Sequence, residues 1–492
     1  MRELMFRIAV ALLLLLIPAV CADDVETQVK RFVDAYATIE REAADPVEPD
    51  KAFYEGAIPG LLRRLDPHSV FFDPGQFEQL KKLETSTQKG FGSVVSILPG
   101  RIIVLQTLPG TPSAKSGMAP GDEILAINGY AIDRLDMEQM VALLTQSRQQ
   151  PARLVVRSPG NVRVHELVLT PEEMQSPSVE RAFFLKPGVG YLRVSSFDEK
   201  TGKQIKEAIE KLGGANLKGL VLDLRNNPGG LLPAALQTSA LFLQPGQKLL
   251  TVRGRKVEEQ DQKVPLGSVP YTFPVAVLIN AKSASASEIV SGALQDHDRA
   301  AIVGEPSFGK GLVESVFPLS NSTGIALTTA LYYTPSGRSI QKPLKGSEYA
   351  LAATASNPNK QSQFRTDSGR VVKGGGGIQP DYVVYPEAPT RLRAVLDATA
   401  SFTTFAIDYV KSHPDIPKNF EVTPAILSDF ELFCSQHNIQ PGVGDWSRER
   451  PFIENRLKTE IFNQAFGVEK GDEVDAQRDA QILKALEVIG AK

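Results

Sequence analysis

Three mainly apolar runs that predict buried strands constrain the fold of this chain more than any other feature. They occupy residues 217–225, 275–279 and 300–304, and each one is followed by a turn of glycine or small polar residues. Strands that are buried on both faces give unbroken apolar runs, and their alternation with helical patterns is typical of a parallel sheet covered by helices. The sequence therefore predicts an α/β multidomain protein with a layered core, which we place at residues 171–385.

The length and charge of the chain limit its possible functions. It has 492 residues, which is too long for one compact core, so several domains are expected. Its 54 Lys and Arg residues against 57 Asp and Glu residues give a formal net charge of -3, and 42% of its residues are hydrophobic. These values argue against a nucleic-acid partner, a polybasic membrane-surface protein and a disordered chain. We expect at most a peripheral contact with a membrane.

Residues 1–22 have the pattern of a secretory signal peptide. A basic start precedes a short apolar run at residues 12–17, and small residues then precede acidic ones. The run is short for a membrane anchor, which makes an uncleaved anchor the weaker interpretation. We therefore predict a periplasmic or secreted protein. Cleavage after Ala22 would leave Cys434 as its only cysteine, so no disulfide within one chain is expected.

Apolar residues at helical spacing flank the central part of the chain on both sides. The pattern predicts helical regions at residues 23–88 and 386–492. The single tryptophan, Trp446, lies in a stretch with several Gly and Pro residues, which favours a loop. Neither region contains a pattern that indicates chemistry.

Residues 89–170 change to short β-rich runs separated by glycine turns, with one predicted helix around residues 137–144. The segment Gly117–Gly129 combines a turn, a Gly-Asp pair, a buried strand and an Asn-Gly hairpin, and it resembles the PDZ family. That resemblance implies that the Gly90-Phe91-Gly92-Ser93 loop binds the C-terminal carboxylate of a peptide, which adds to the sheet edge as an extra strand. Alternatively, these glycines only form a turn.

Ser285 is the strongest candidate for a nucleophile. It lies in the Lys282–Val290 segment, between a predicted buried strand and a predicted helix. The free N–H groups of a helix N-terminus favour developing negative charge, which suits a serine whose attack produces an oxyanion. The same residues also match a capping box, with Ser285 at the N-cap and Glu288 three positions later, and by itself the pattern favours this structural interpretation.

No histidine is evidently placed to act as a base for this serine. Lys310, in the Gly304–Gly311 segment after the next buried strand, is the alternative, because a lysine in a dry cleft can be neutral and accept a proton. Adjacent parallel strands would bring the two turns into one crevice. The segment also resembles a P-loop, but Gly311 stands where a Ser or Thr should hold magnesium. Ser307 and Lys310 imitate an S-x-x-K pair, but Pro306 and Gly309 predict a loop rather than the required helix.

Several further motifs follow one another along the chain. They are Leu65-Asp66-Pro67-His68-Ser69, the PDZ segment, Asp223–Gly230, Ser283–Ile289 with Asp296, Phe308–Gly311 and Gly377–Asp381. Together they resemble the carboxy-terminal processing, or tail-specific, proteases over residues 25–385. The resemblance implies a crotonase-like or ClpP-like protease core with an inserted PDZ domain, and it implies no metal and no cofactor.

The resemblance also implies roles for single residues. Ser285 would be the nucleophile and Lys310 the general base. The family has a glutamine four residues after this lysine, where the present chain has Glu314. A carboxylate beside the lysine favours the charged ammonium, which cannot act as a base. Three outcomes are therefore open. Glu314 is protonated or turned away from the lysine, the enzyme needs a higher pH, or its activity is impaired. We expect a working enzyme with a shifted pH profile.

Further residues are implied around this pair. Asp296 matches a carboxylate near the site, and we interpret it as structural support rather than a catalytic group. The oxyanion would be bound by the N–H groups of Ala286 and of Gly229 or Gly230, in a turn where glycine permits close approach of the backbone. A plain tight turn is the alternative for these two glycines.

The predicted function is a serine endopeptidase that captures unstructured C-termini of protein substrates with its PDZ domain. The flanking helical regions would form a homo-oligomer, as in relatives, or contact an adaptor. Two rivals remain. One is a catalytically weak or silent PDZ tether of C-terminal tails, which Glu314 keeps open, and the other is a non-proteolytic enzyme that uses the same core for other acyl chemistry.

Overall fold

The computed structural model describes residues 22–84, 87–161, 163–343 and 363–490. The predicted signal peptide lies outside these residues except for Ala22. The described chain forms two compact units. The first contains residues 22–74 and 316–327, and the second contains the other described residues.

Helices and strands alternate along most of the described chain. The helices are α1 Ala22–Glu42, α2 Ile58–Leu65, α3 Pro74–Glu84, α4 Pro112–Lys115, α5 Met137–Ser147, α6 Thr201–Lys211, α7 Leu232–Ala240, α8 Ala286–Asp296, α9 Arg391–Ala398, α10 Ser401–Ser412, α11 Pro424–Gln436, α12 Val443–Phe466, α13 Val468–Asp475 and α14 Ala480–Gly490. A π-helix spans Lys51–Ala57, and short 3₁₀ helices span Ile132–Arg134 and Gly214–Asn216.

The strands are distributed over several sheets. They are β1 Val70–Phe72, β2 Thr87–Gly90, β3 Ser93–Leu98, β4 Arg101–Thr107, β5 Glu123–Ile127, β6 Tyr130–Ala131, β7 Ala152–Arg157, β8 Val164–Leu169, β9 Glu172–Gln175, β10 Val179–Lys186, β11 Val189–Val194, β12 Gly219–Asp223, β13 Lys248–Arg253, β14 Gln260–Lys263, β15 Val275–Ile279, β16 Ala300–Gly304, β17 Leu312–Pro318, β18 Gly324–Tyr333, β19 Phe364–Arg365, β20 Val371–Val372 and β21 Tyr382–Val383.

The first unit is mainly helical, as its sequence predicted, but it also contains β1. This strand pairs antiparallel with residues 324–326 of β18, which lie far away in sequence, so no local pattern could reveal it. The turn before β1 is held by the buried Asp66 carboxylate, which accepts hydrogen bonds from the N–H of His68 at 2.7 Å and the hydroxyl of Ser69 at 2.7 Å. This motif residue therefore has a structural role.

The main sheet of the second unit confirms a mixed α/β architecture. Its strand order is β10-β11-β12-β15-β16-β21, and all neighbours after β11 are parallel. Every residue of β12, β15 and β16 is buried, which explains why these strands are apolar except for Asp223 at the end of β12. The helix α8, which follows β15, is buried along its whole length. The carboxyl ends of β12, β15 and β16 consequently lie side by side.

Strands β3–β8 form a separate antiparallel sheet with the order β3-β4-β5-β7-β8, and β6 pairs with β5. The predicted helix of this segment is α5, which begins with a capping box between Asp136 and Gln139. Ile102, Ile127 and Met140 are fully buried in its small core. Within the described residues β3 is an edge strand of this sheet, so a further strand can pair with it.

Helices α9–α12 enclose a core of their own, in which Phe402, Phe430 and the free Cys434 are buried. Burial raises the pKa of the Cys434 thiol to about 12, so this cysteine is an inert core residue. The predicted loop around Trp446 is wrong, because this residue lies within α12, which also contains Pro451.

Burial explains this departure from local propensity. Ile453, Leu457 and Ile461 lie on one face of α12 and are fully buried in the helical core. Burial of three such side chains stabilises the helix by roughly 5 kcal/mol. That exceeds the cost of about 3 kcal/mol for a proline in a helix interior.

These C-terminal helices also contact the β3–β8 sheet. The Arg101 guanidinium donates a hydrogen bond to the Thr404 hydroxyl at 3.2 Å, and the N–H of Val468 donates to the side-chain oxygen of Gln106 at 3.2 Å. Among the described helices, none is long and apolar enough to cross a membrane.

Glu123 offers a test of the β3–β8 sheet. Burial opposes its charged form, but Arg101 and Arg157 outweigh this effect and hold the pKa of the carboxyl below its usual value of 4.5. We expect Glu123→Gln to lower the stability of this domain by about 1 kcal/mol at pH 7, because both arginines are partly exposed.

The pH dependence has a definite sign. A lowered pKa in the folded state means that the carboxylate stabilises the domain above its unfolded pKa and loses this effect as the pH falls through its folded pKa. The difference in thermal midpoint between the parent and Glu123→Gln should therefore shrink between pH 7 and pH 3. Glu166→Gln is the matched control with no expected effect. It removes the ion pair between Arg153 and Glu166, which is 3.7 Å long and whose side chains are 66% and 60% exposed. A pH-independent difference would contradict this assignment.

Candidate active site

Three turns converge at the carboxyl edge of the main sheet, two of which, the serine and lysine turns, were expected to meet there because their strands are adjacent. They follow β12, β15 and β16, which are neighbours in the sheet. The N–H of Ala284 donates to the carbonyl of Asn227 at 3.0 Å, and the N–H of Phe308 donates to the carbonyl of Ser283 at 2.9 Å. The turn that carries Ser285 is thus bonded to the turns on both sides of it.

Ser285 adopts an unfavourable backbone conformation, with φ of 52° and ψ of -113°. These are the angles of the first central residue of a type II′ turn, where glycine is preferred because it has no side chain to clash. Its position between β15 and α8 parallels the strained serine turn between a strand and a helix in α/β-hydrolases. A non-glycine residue held in such a conformation is typical of a functional site.

A capping box is present at the start of α8, as the sequence pattern indicated. The N–H of Ser285 donates to Oε2 of Glu288 at 2.9 Å. The N–H of Glu288 donates to the carbonyl oxygen of Ser285 at 2.8 Å. Ser285 itself is half-buried at this helix start.

Lys310 lies in the turn after β16, and its amine faces Glu314. Lys310 Nζ is 2.8 Å from Glu314 Oε1, and the side chains are 22% and 19% exposed. The contact is an ion pair without a well-aligned hydrogen bond at this oxygen. Of the alternatives that the sequence left open, a Glu314 side chain turned away from the lysine does not occur in this structure.

Two residues that the sequence did not single out as functional link the serine and lysine turns. Glu288 is fully buried, and its Oε2 accepts hydrogen bonds from the N–H groups of Ser285 and Lys310. Tyr332 is also buried, and its hydroxyl lies 2.9 Å from the carbonyl oxygen of Lys310 and 3.3 Å from that of Ser285. The capping pattern signalled a partner for Ser285 but not the contact with Lys310, and no sequence pattern signalled Tyr332.

The Asn-Pro-Gly-Gly turn packs against Ser285. A side chain at Gly229 would meet the Ser285 Cβ at 2.8 Å and the Ala286 nitrogen at 2.9 Å. The N–H of Gly229 already donates to the Asn227 side chain at 2.8 Å. The N–H groups of Gly230 and Ala286 have no hydrogen-bond acceptor in the described part of the chain. These two donors are therefore the available pair near Ser285.

Asp296 lies at the last residue of α8 and forms a buried ion pair with Arg338. The distance between Asp296 Oδ1 and Arg338 Nη2 is 2.7 Å, and both side chains are completely inaccessible to solvent. The second oxygen of Asp296 accepts the N–H of Ser336 at 3.0 Å. These contacts fit the structural interpretation of Asp296 and connect the end of α8 to the segment after β18.

The predicted carboxylate-binding loop lies at one end of a cavity in the β3–β8 domain. Residues 90–93 line this cavity of about 580 Å³ together with Leu144 of α5, Arg148 directly after it, and Val468 of α13. Gly92 has a positive φ of 76°, and its carbonyl accepts the N–H of Leu108 at 2.8 Å. The cavity borders the free edge of β3. In the described residues, no cluster of acidic, His or Cys side chains has the composition of a metal site.

Comparison with known proteins gives the class of the molecule. Residues 188–348 match peptidase family S41, and residues 103–158 match the PDZ domain. A carboxy-terminal-processing protease of Bartonella bacilliformis is 38% identical over 324 residues, which are 64% of this chain and 73% of that protein. A carboxyl-terminal-processing protease of Synechocystis is 36% identical over 292 residues, which are 58% and 68% of the two chains.

Among solved structures, the photosystem II D1 C-terminal processing protease aligns with 25% identity and a TM-score of 0.40, covering 75% of this chain and 96% of that chain. An S41 peptidase region combined with a PDZ domain defines a class of serine-type proteases. The chain belongs to the carboxy-terminal processing proteases, which confirms the family expected from its motifs.

The Asp296–Arg338 pair gives a test of its structural role. Removal of one partner of a buried ion pair leaves an uncompensated charge, so Asp296→Asn should lower the free energy of unfolding of the core by about 3 kcal/mol, measured by urea denaturation. The exposed Arg253–Glu259 pair supplies the control, because Glu259→Gln should change stability by less than about 0.5 kcal/mol. An Asp296→Asn variant as stable as the parent would contradict the structural assignment.

Proposed function

We propose that this chain is a periplasmic or secreted serine endopeptidase in which Ser285 is the nucleophile and Lys310 the general base. The observation that carries the proposal is the convergence of a strained serine at a helix N-terminus with a lysine turn, both held by one buried carboxylate. Family membership supports peptide-bond hydrolysis as the reaction.

The reaction follows from the chemistry of these groups. The Ser285 hydroxyl attacks the carbonyl carbon of the substrate while a neutral Lys310 amine takes its proton. The resulting oxyanion is bound by the N–H groups of Ala286 and Gly230 and is favoured by the N-terminus of α8. The C–N bond then breaks, the lysine returns the proton to the leaving amine, and water hydrolyses the acyl-enzyme by the same steps.

Glu314 sets a condition on this mechanism. Its contact with Lys310 Nζ favours the ammonium form, which holds no lone pair for the serine proton. The base form becomes available when the pH is raised, when Glu314 is protonated, or when the substrate displaces it from the lysine. We propose an enzyme with its activity shifted to higher pH.

The PDZ domain is proposed to bind the C-terminal tail of an unstructured protein substrate. The edge of β3 offers main-chain hydrogen bonds to an added strand, and the loop at residues 90–93 would bind its carboxylate. The crotonase-like or ClpP-like layering of the core, a homo-oligomer and an adaptor protein remain predictions. The ion pair of Lys310 with Glu314 is also the one observation that favours a catalytically silent tether of C-terminal tails.

A cleavage assay separates the enzyme from the tether. The purified chain is incubated with an unfolded protein, and fragments are followed by mass spectrometry. Ser285→Ala and Lys310→Ala should each lower the rate by about 10³-fold or more, because the nucleophile or its base is lost. The exposed Lys282→Ala, near the same turn, should leave the rate unchanged. Binding of the tail without cleavage by the parent would favour the tether, and cleavage that survives Ser285→Ala would exclude this mechanism.

Glu314→Gln tests whether the carboxylate of Glu314 limits the action of Lys310 as a base. The amide cannot form the ion pair that the carboxylate makes with Lys310, so the pH profile for kcat/KM should differ from that of the parent on its acid side. The rate at pH 7 should then rise. Glu305→Gln, which changes a carboxylate at the start of the same turn, is the control. A profile that overlays that of the parent would show that Glu314 does not control Lys310.

A further inference from the structure

The Glu288 carboxylate has four hydrogen-bond donors, and all of them are electrically neutral. Its Oε2 accepts the N–H of Ser285 at 2.9 Å and the N–H of Lys310 at 2.8 Å. Its Oε1 accepts the N–H of Gly309 at 2.7 Å and the hydroxyl of Ser307 at 2.5 Å. One oxygen atom therefore joins the backbone nitrogens of the proposed nucleophile and the proposed base.

A capping role does not account for these contacts. A cap needs only the bond with Ser285, whereas three of the four donors belong to the turn after β16. Burial disfavours the charged form and raises the pKa of Glu288, and the four donors offset only part of this effect. A buried carboxylate without a cation among its hydrogen-bond donors is costly, so a role beyond packing is expected.

The Tyr332 hydroxyl contacts the backbone carbonyl oxygens of the same two residues, Ser285 and Lys310. Its hydroxyl donates to the carbonyl oxygen of Lys310 and lies within hydrogen-bonding distance of the carbonyl oxygen of Ser285. Its own N–H donates to the carbonyl of Gly311 at 3.0 Å, which fixes β18 against the lysine turn. Burial, with the nearby carboxylates of Glu288 and Glu314, holds the pKa of the Tyr332 hydroxyl well above its usual value, so the group remains a donor.

We propose that Glu288 and Tyr332 are positioning residues that set the separation of Ser285 and Lys310 by bonding both residues through their backbone N–H and carbonyl groups. This inference rests on the proposed Ser–Lys mechanism. Proton transfer requires the two reacting heavy atoms to come within about 3 Å, and a displacement of about 1 Å can lower a rate about 100-fold. The two bridges act on the backbone, so they fix the turns without themselves bonding the Lys310 amine.

Tyr332→Phe is the decisive variant, because it removes one oxygen atom and keeps the buried ring. We expect kcat to fall about 10-fold with KM unchanged, and phosphonylation of Ser285 by a serine-directed phosphonate to slow by the same factor. The thermal midpoint should stay within about 5 °C of the parent. The control is Tyr333→Phe, at the next position in β18, whose ring faces Arg253 and which should retain the parent values.

Glu288→Gln tests the other bridge. The amide nitrogen is itself a donor and would face two of the four donors, so at least one turn must shift, and we expect kcat to fall about 100-fold with KM unchanged. The shape of the pH profile should also change because the turn that carries Lys310 shifts, which a simple loss of folded protein would not do. Glu305→Gln again serves as the control.

The outcomes separate this inference from the mechanism on which it rests. If Ser285→Ala and Lys310→Ala still cleave, the Ser–Lys mechanism fails. If these two variants are inactive while Tyr332→Phe has the kcat and phosphonate reactivity of the parent, the mechanism stands and the positioning role is overturned. Should Glu288→Gln not fold, the result with Tyr332→Phe decides alone.

Discussion

Parallel pairing of β12, β15 and β16 is the constraint on which the rest of the structure depends. Parallel neighbours end at the same edge of a sheet, so the turns after them meet even though they are far apart in sequence. The strands are buried on both faces, which fixes their order and leaves only their ends for chemistry. The serine turn, the lysine turn and the Asn-Pro-Gly-Gly turn occupy one place for this reason.

Local patterns predicted the parts of the fold that depend on local chemistry. The apolar runs of β15 and β16 and the polar start of α8 could be located, because burial and helix capping leave direct marks in the sequence. The segment around Trp446 was predicted wrongly as a loop, because burial of distant residues on the same helix outweighs the effect of Pro451. The strand β1 was missed since its partner lies in β18.

The residues of the candidate site likewise fall into those that the sequence revealed and those that it did not. Ser285 and Lys310 were found from their positions after predicted buried strands and Glu314 from the family resemblance, and the structure places Glu314 against the lysine. The further contacts of Glu288 could not be predicted, because its capping spacing fully explains its presence in the sequence. Tyr332 lies in β18 and reaches the site only through the tertiary fold. The two carboxylates near Lys310 have different partners. Glu288 accepts hydrogen bonds from neutral donors, whereas Glu314 contacts the Lys310 amine.

The backbone angles of Ser285 have an evolutionary consequence. Glycine would occupy this position without the steric conflict that serine experiences, and strain of this kind costs about 1–3 kcal/mol. Selection for stability alone would therefore favour glycine at this position, whereas only a use for the hydroxyl would favour serine.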